Sequence, residues 1–137
     1  MTHNPGRGTE TIVLVEDQPP VRAIARRILA PRGYTVLEAS GGHEALAIIR
    51  EHQGPIHLLL TDVVMPSLNG RDLAKQVLAQ HPDIRVLYTS GFTGGAGVQP
   101  GIPNEGAAFL EKPFTAQSLL EKVRETLDRP LDGLRFT

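Results

Sequence analysis

The chain has 137 residues and no cysteine. Disulfide frameworks, thiolate zinc sites and cysteine nucleophiles are therefore excluded. Long apolar runs are missing too. Stretches such as Ile12-Val13-Leu14-Val15 fall far short of the roughly 18 residues that cross a bilayer. No charged-then-apolar leader opens the chain. Nor is there an excess of either charge: 14 basic residues face 15 acidic ones. That balance gives no electrostatic footprint for nucleic acid. The histidines, His3, His43, His52, His57 and His81, are scattered without ligand spacing and read as surface or packing residues. The glycines at 94, 95, 97 and 101 miss the dinucleotide fingerprint, because Pro100 stands at its last position counted from Gly95. The tail from Asp128 to Thr137 is too short for a helix-turn-helix.

What remains fits one globular α/β domain. Hydrophobic content is 40% with mixed charges, a composition that folds. A chain of this length buries about two thirds of its unfolded surface and needs no staples. Residues 1–9 are polar and aperiodic and read as a flexible leader or linker. Residues 10–128 form the domain, and 129–137 a C-terminal tail. Within the domain a strand–helix rhythm repeats. Thr11 to Val15 reads as a strand, and Pro19-Pro20 as the first turn of a helix, where a missing N–H costs nothing. Val21, Ile24, Ala25, Ile28 and Leu29 recur at helical spacing until Pro31-Arg32-Gly33. Further strands are expected at 34–38, 56–61, 84–89 and 107–111. Ala45, Leu46, Ile48 and Ile49 mark a second helix; Leu73, Val77 and Leu78 mark a third. A last helix over Leu119, Leu120, Val123 and Leu127 has Thr115 as N-cap, with Phe114 and Leu119 placed as a hydrophobic staple.

Strands alternating with helices imply a parallel sheet covered on both faces. In such sheets the site lies beyond the carboxyl ends of the strands. Glu16 and Asp17 follow the first strand, Asp62 the third, Ser90 the fourth and Lys112 the fifth. Any one of these is ordinary for a solvated turn; their convergence is not. Three carboxylates and one ammonium leave an excess of negative charge that raises carboxyl pKa values and that a divalent cation would cancel. Oxygen-only ligands favour Mg2+ or Mn2+ over zinc. A cation beside a carboxylate and a lysine is also equipment for phosphoryl transfer, in which a carboxylate can serve as nucleophile.

Val15-Glu16-Asp17, Leu60-Thr61-Asp62-Val63-Val64-Met65-Pro66 with Gly70, Thr89-Ser90-Gly91 and Lys112-Pro113-Phe114 together resemble the receiver domains of two-component response regulators. The resemblance covers residues 10–128. It implies a flavodoxin-like, doubly wound sheet of the chemotaxis-regulator type, with five parallel strands in the order 2-1-3-4-5. It implies Asp62 as the phosphoacceptor, modified by a histidine kinase or a phosphotransfer domain. Mg2+ would be bound by Asp17, Asp62 and the Val64 carbonyl, with Glu16 acting through water. Ser90 would hydrogen-bond the phosphoryl group and Lys112 would pair with its oxygens. The Lys112-Pro113 bond is similar to the family's cis peptide, and Phe109 stands at its switch aromatic. The local wording looks like receivers at the C-terminus of hybrid sensor histidine kinases; both a single-domain regulator and a hybrid-kinase receiver fit. A cytoplasmic switch, not an enzyme, is implied, with no nucleic acid and no membrane contact.

Two points depart from a plain member of that family. Residues 94–106, where a fourth helix is usual, hold five Gly and two Pro. At about 1 kcal/mol per Gly and about 3 kcal/mol per Pro, a continuous helix is not expected there; a loop that orders on phosphorylation is. Arg22 and Arg26, one turn apart, read as a solvated helix face in preference to a dock for an acidic helix. A rival function is a Mg-dependent phosphatase or phosphotransferase with an Asp nucleophile. Such enzymes carry a general-acid Asp two residues further on; Val64 stands there and cannot move a proton.

Overall fold

A computed structural model describes residues 8–91 and 108–129. Its elements run β1 (Thr11–Val15), α1 (Pro19–Leu29), a 3-10 turn (Ala30–Arg32), β2 (Thr35–Ala39), α2 (Gly42–Glu51), β3 (Leu58–Asp62), α3 (Gly70–Gln80), β4 (Arg85–Ser90), β5 (Ala108–Glu111) and α4 (Ala116–Leu127). The strands pair in parallel in the order β2-β1-β3-β4-β5. The order reverses between β1 and β3, which is where the topology opens a crevice. The 94–106 segment, with the fourth helix doubted there, lies outside the described residues, as do Ala107, the start of the leader and the end of the tail.

The apolar runs serve two faces because side chains alternate along a strand. Val13 and Val15 of β1 and Leu59 of β3 pack with Ala45, Ile49, Leu73 and Val77 of α2 and α3. Ile12, Leu14, Leu58 and Leu60 point the other way and pack with Ala25, Leu29, Leu119, Leu120, Val123 and Leu127 of α1 and α4. Removing one such fully buried Leu costs about 2–5 kcal/mol. A sheet clamped this way holds its carboxyl edge steady.

Helix ends follow local chemistry. Pro19 and Pro20 open α1, and Gly33, at φ 104°, turns the chain into β2. The expected Thr115 cap is present and completes a capping box with Ser118. Asn69 caps α3 by accepting from the Asp72 N–H at 2.8 Å. Strand limits differ slightly from those expected of the sequence. The β1–β2 ladder starts at Thr11 opposite Thr35, so Tyr34 precedes it. Likewise β3 and β4 begin at Leu58 and Arg85, and the ladder holds Asp62 and Ser90 as their last residues. Among the histidines, His57 plays a structural part, since its Nδ1 accepts from the Thr11 N–H at 2.9 Å.

At the opposite edge of the sheet, α4 is tied to the residue that precedes β1. Arg124, 9% exposed, donates to Glu10 at 2.7 and 3.2 Å, to the Tyr34 hydroxyl at 3.3 Å and to Asp128 at 2.9 and 3.2 Å. The hydrogen bonds from Arg124 hold the Glu10 carboxyl below its ordinary value of 4.5, against the effect of burial. A depressed carboxyl contributes stability above its unfolded pKa and loses it as pH falls through the folded one. Glu10→Gln is expected to cost about 1–2 kcal/mol at neutral pH. In denaturant melts, the gap between wild type and variant should close as pH drops below 4.5. A gap that stays constant down to full protonation would show that the ion pair carries no stability.

Candidate functional site

The ends of β1, β3 and β5 bring the charged groups to the crevice. Glu16 leaves β1 with its N–H donating to the Ala39 carbonyl at 3.1 Å. Asp62 ends β3, and the next residue, Val63, donates to the Thr89 carbonyl of β4 at 3.0 Å. Lys112 leaves β5 with its N–H on the Ser90 carbonyl at 2.8 Å. These are ladder bonds continued by one residue, so the sheet itself sets the spacing of the side chains beyond it. Gly70 closes the floor. Its N–H donates to the Val63 carbonyl at 2.8 Å, and a Cβ there would overlap the Asp62 carbonyl oxygen. Only glycine lets α3 start this close to β3.

The side chains then meet. Lys112 Nζ donates to Asp62 Oδ2 at 2.9 Å and to Glu16 Oε1 at 3.0 Å. Glu16 is 3% and Asp62 6% exposed. Asp17 completes the cluster, with one carboxylate oxygen each from Glu16, Asp17 and Asp62 lying within 4.8 Å of one another. The second Glu16 oxygen accepts from the Gln18 N–H at 3.1 Å, and the Val64 backbone acts to lower the Asp62 carboxyl pKa. Burial pushes both the Asp62 and the Glu16 carboxyls above their ordinary values, and the hydrogen bonds from Lys112 pull them down without prevailing. Burial also opposes the charge on Lys112, but its bonds to Asp62 and Glu16 outweigh this and hold its pKa above the ordinary value. One ammonium divided between two buried carboxylates satisfies itself better than it satisfies them.

The donor set suits a hard divalent cation. It is all oxygen, with no His or Cys in the cluster, and it holds negative charge that burial leaves under-compensated. Glu16, Asp17 and Asp62 are the side chains available to hold such an ion.

The remaining expected residues are Ser90, Val64 and Phe109. Ser90 closes β4 beside Glu111 of β5. Val64, at 68%, is one of the exposed large apolar side chains among the described residues and follows Asp62 by two positions. Phe109 is half-buried on β5 and stacks on Tyr88, with ring centroids 5.4 Å apart and planes at 29°. The Lys112-Pro113 bond is cis, as the resemblance implied.

Two residues were missed by sequence reasoning. Tyr88, which supports Phe109, carries no signal beyond being an apolar strand residue. Arg22 is not a solvated charge: its Nη1 donates to the Glu16 carbonyl at 2.7 Å and its Nε lies 3.6 Å from Glu38. Arg26 pairs with the same Glu38 at 2.9 Å. The partner of this arginine pair is β2 of the same chain, which helical spacing alone does not reveal.

Comparison with known proteins agrees with this geometry. The family model described as response regulator receiver domain matches residues 12–124. The chain is similar to the sensor kinase CckA of Brucella abortus, at 38% identity over 122 residues, covering 89% of this chain and 13% of that protein. It is similar to the response regulator receiver protein CpdR of the same organism at 31% identity, covering 85% of this chain and 95% of that one. It spans about half of mycobacterial regulators such as MprA of Mycolicibacterium vanbaalenii (53%). Among solved structures, the receiver domain of the hybrid histidine kinase CckA superposes with a TM-score of 0.72 at 38% identity, covering 86% of this chain and 99% of that one. No helix among the described residues is long and apolar enough to cross a membrane. With the sheet order, the acidic crevice and the family match in agreement, the chain belongs to the response regulator receiver domains of two-component signalling systems.

Proposed function

We propose that Asp62 is the phosphoacceptor, taking a phosphoryl group from a phosphohistidine on a histidine kinase or phosphotransfer domain. The observation that carries the reading is the Lys112 ammonium bridging Asp62 and Glu16, with Asp17 in the same cluster. A carboxylate oxygen of Asp62 attacks phosphorus. The P–N bond breaks, and its electron pair leaves with the imidazole, whose other ring nitrogen carries a proton, so an acyl phosphate and a neutral donor histidine result. Lys112 then pairs with the phosphoryl oxygens, and Ser90 donates to one of them. Asp17, Asp62 and the Val64 carbonyl would hold Mg2+ or Mn2+, with Glu16 reaching it through water. When bound, the cation neutralises charge on the transferring group and on the carboxylates.

Positioning and charge compensation supply most of such catalysis, and this chain brings both. Ser90 and Phe109 are the switch pair in this reading: Ser90 moves toward the phosphoryl group, and Phe109 rearranges on its Tyr88 platform. Pro113, next to Lys112, is a further switch position in this reading. Val64, apolar and exposed, offers no general acid for a phosphatase cycle, so the chain acts as a phosphorylated switch and not a free enzyme. The higher identity to the CckA receiver favours a place in a hybrid sensor histidine kinase over a single-domain regulator. Exchange with a kinase, in this reading, takes place in the cytoplasm.

Incubation with acetyl phosphate and Mg2+ should add one acid-stable, base-labile phosphoryl group, read by intact mass. Asp62→Asn should remain unlabelled; labelling equal to wild type would remove Asp62 from its role. Magnesium should also act on stability, because a ligand of the folded state stabilises it by about 2.7 kcal/mol at 100 times its Kd. Millimolar Mg2+ should raise the melting temperature of wild type and raise that of Asp17→Asn much less. An equal rise in both would exclude Asp17 as a ligand.

A further inference from the structure

The β1–α1 loop carries both Glu16 and Asp17, so its position decides where two of the carboxylates stand. Its fixation from the β5 side is Lys112, already described. From the β2 side it is held by two contacts of different kinds. The Glu16 N–H donates to the Ala39 carbonyl at 3.1 Å, and the Glu16 carbonyl accepts from Arg22 Nη1 at 2.7 Å. The second is a charge-assisted bond, stronger than a neutral one.

Arg22 does not reach the carbonyl unsupported. Its Nε lies 3.6 Å from Glu38 Oε1, while Arg26 Nε holds the other Glu38 oxygen at 2.9 Å. Glu38 stands on β2, in register with Leu14 of β1. The Arg22 side chain is 21% exposed, so part of its reach is shielded from water. The result is a strut: β2, through Glu38, holds a guanidinium that holds the loop.

We propose that Arg22 is a positioning residue for the phosphoacceptor site, presetting the Asp17 carboxylate for the divalent cation by pinning the Glu16 carbonyl against β2. This rests on the functional reading above. It concerns a backbone contact behind the ligands, and outer contacts of this kind commonly change metal affinity by about 10–100-fold.

The sign of the effect separates positioning from simple electrostatics. A guanidinium beside a cation site repels the cation, so charge alone predicts that removing Arg22 tightens Mg2+ binding. Positioning predicts the reverse. Mg2+ titration of the whole chain by calorimetry reads the difference. Arg22→Ala should weaken Mg2+ binding about tenfold. Arg22→Lys keeps the charge but not the fork that spans two acceptors, and should fall between wild type and Arg22→Ala. Glu38→Gln, which loosens only the strut's far end, should weaken binding less than Arg22→Ala.

The rate of labelling by acetyl phosphate should drop in Arg22→Ala at low Mg2+ and return to within about twofold of wild type at saturating Mg2+, the pattern of lost binding without lost chemistry. Melting temperatures without Mg2+ check that each variant is folded. Unchanged or tighter Mg2+ binding in folded Arg22→Ala and Arg22→Lys would overturn the proposal while leaving the phosphoacceptor reading intact. A rate deficit that persists at saturating Mg2+ would also overturn it. Wild type that binds no Mg2+ would overturn both.

Discussion

Two buried carboxylates share one ammonium at the carboxyl edge of the sheet, and the rest of the site is arranged around that shortage. Asp62 and Glu16 are withdrawn from water by the strands that end at them, yet Lys112 can give each only a single hydrogen bond. Burying a charge is costly unless it is paired, so the pair sits at elevated pKa with Asp17 adding further repulsion to Asp62. Raised carboxyls make the folded state bind more protons than the unfolded one. Stability is therefore lost as pH rises from the ordinary carboxyl range through the folded values. In the proposed function, this corner is the one on which an incoming cation and a phosphoryl group would act.

The surrounding fold is what allows that tension to be held in place. Each carboxylate sits at or just past the end of a parallel strand, and the strands are packed on both faces by hydrophobic clusters. Continued ladder bonds at Glu16, Val63 and Lys112 carry the rigidity of the sheet into the crevice. Gly70 lets α3 start against the Asp62 carbonyl, and the Arg22–Glu38 strut holds the β1–α1 loop from outside. At the far edge, the Arg124–Glu10 pair joins the last helix to the chain before β1. Neither residue belongs to the acidic cluster.

Much of this was legible in the sequence because it depends on local rules. Short β-branched runs, Pro19-Pro20 at a helix start and Thr115 before a helical stripe each specify structure within a few residues, and β-α alternation then leaves few topologies. Asp62 and Lys112 stood out because the carboxyl ends of parallel strands are where sites form. Residues whose partners come from distant strands were not legible. Nothing about Arg22 announces the Glu16 carbonyl or Glu38, and nothing about Arg124 announces Glu10, 114 positions away. Nor does Tyr88 announce that it supports Phe109. Strand limits moved by one or two residues because pairing, not composition, decides where a ladder begins: Tyr34 is apolar enough for a strand but precedes the first pair, Thr11 with Thr35.

Burial holds the Asp62 and Glu16 carboxyls above their ordinary pKa values, and a bound cation would relieve them. Carbon-13 titration of the two side-chain carboxyls, with and without Mg2+, measures this directly. Without Mg2+ both should titrate above 3.8 for Asp62 and 4.5 for Glu16, and both should move down when Mg2+ is added. Titration at or below those values in the absence of Mg2+ would contradict the account, because Lys112 alone would then satisfy the pair and leave no excess charge for a cation to neutralise.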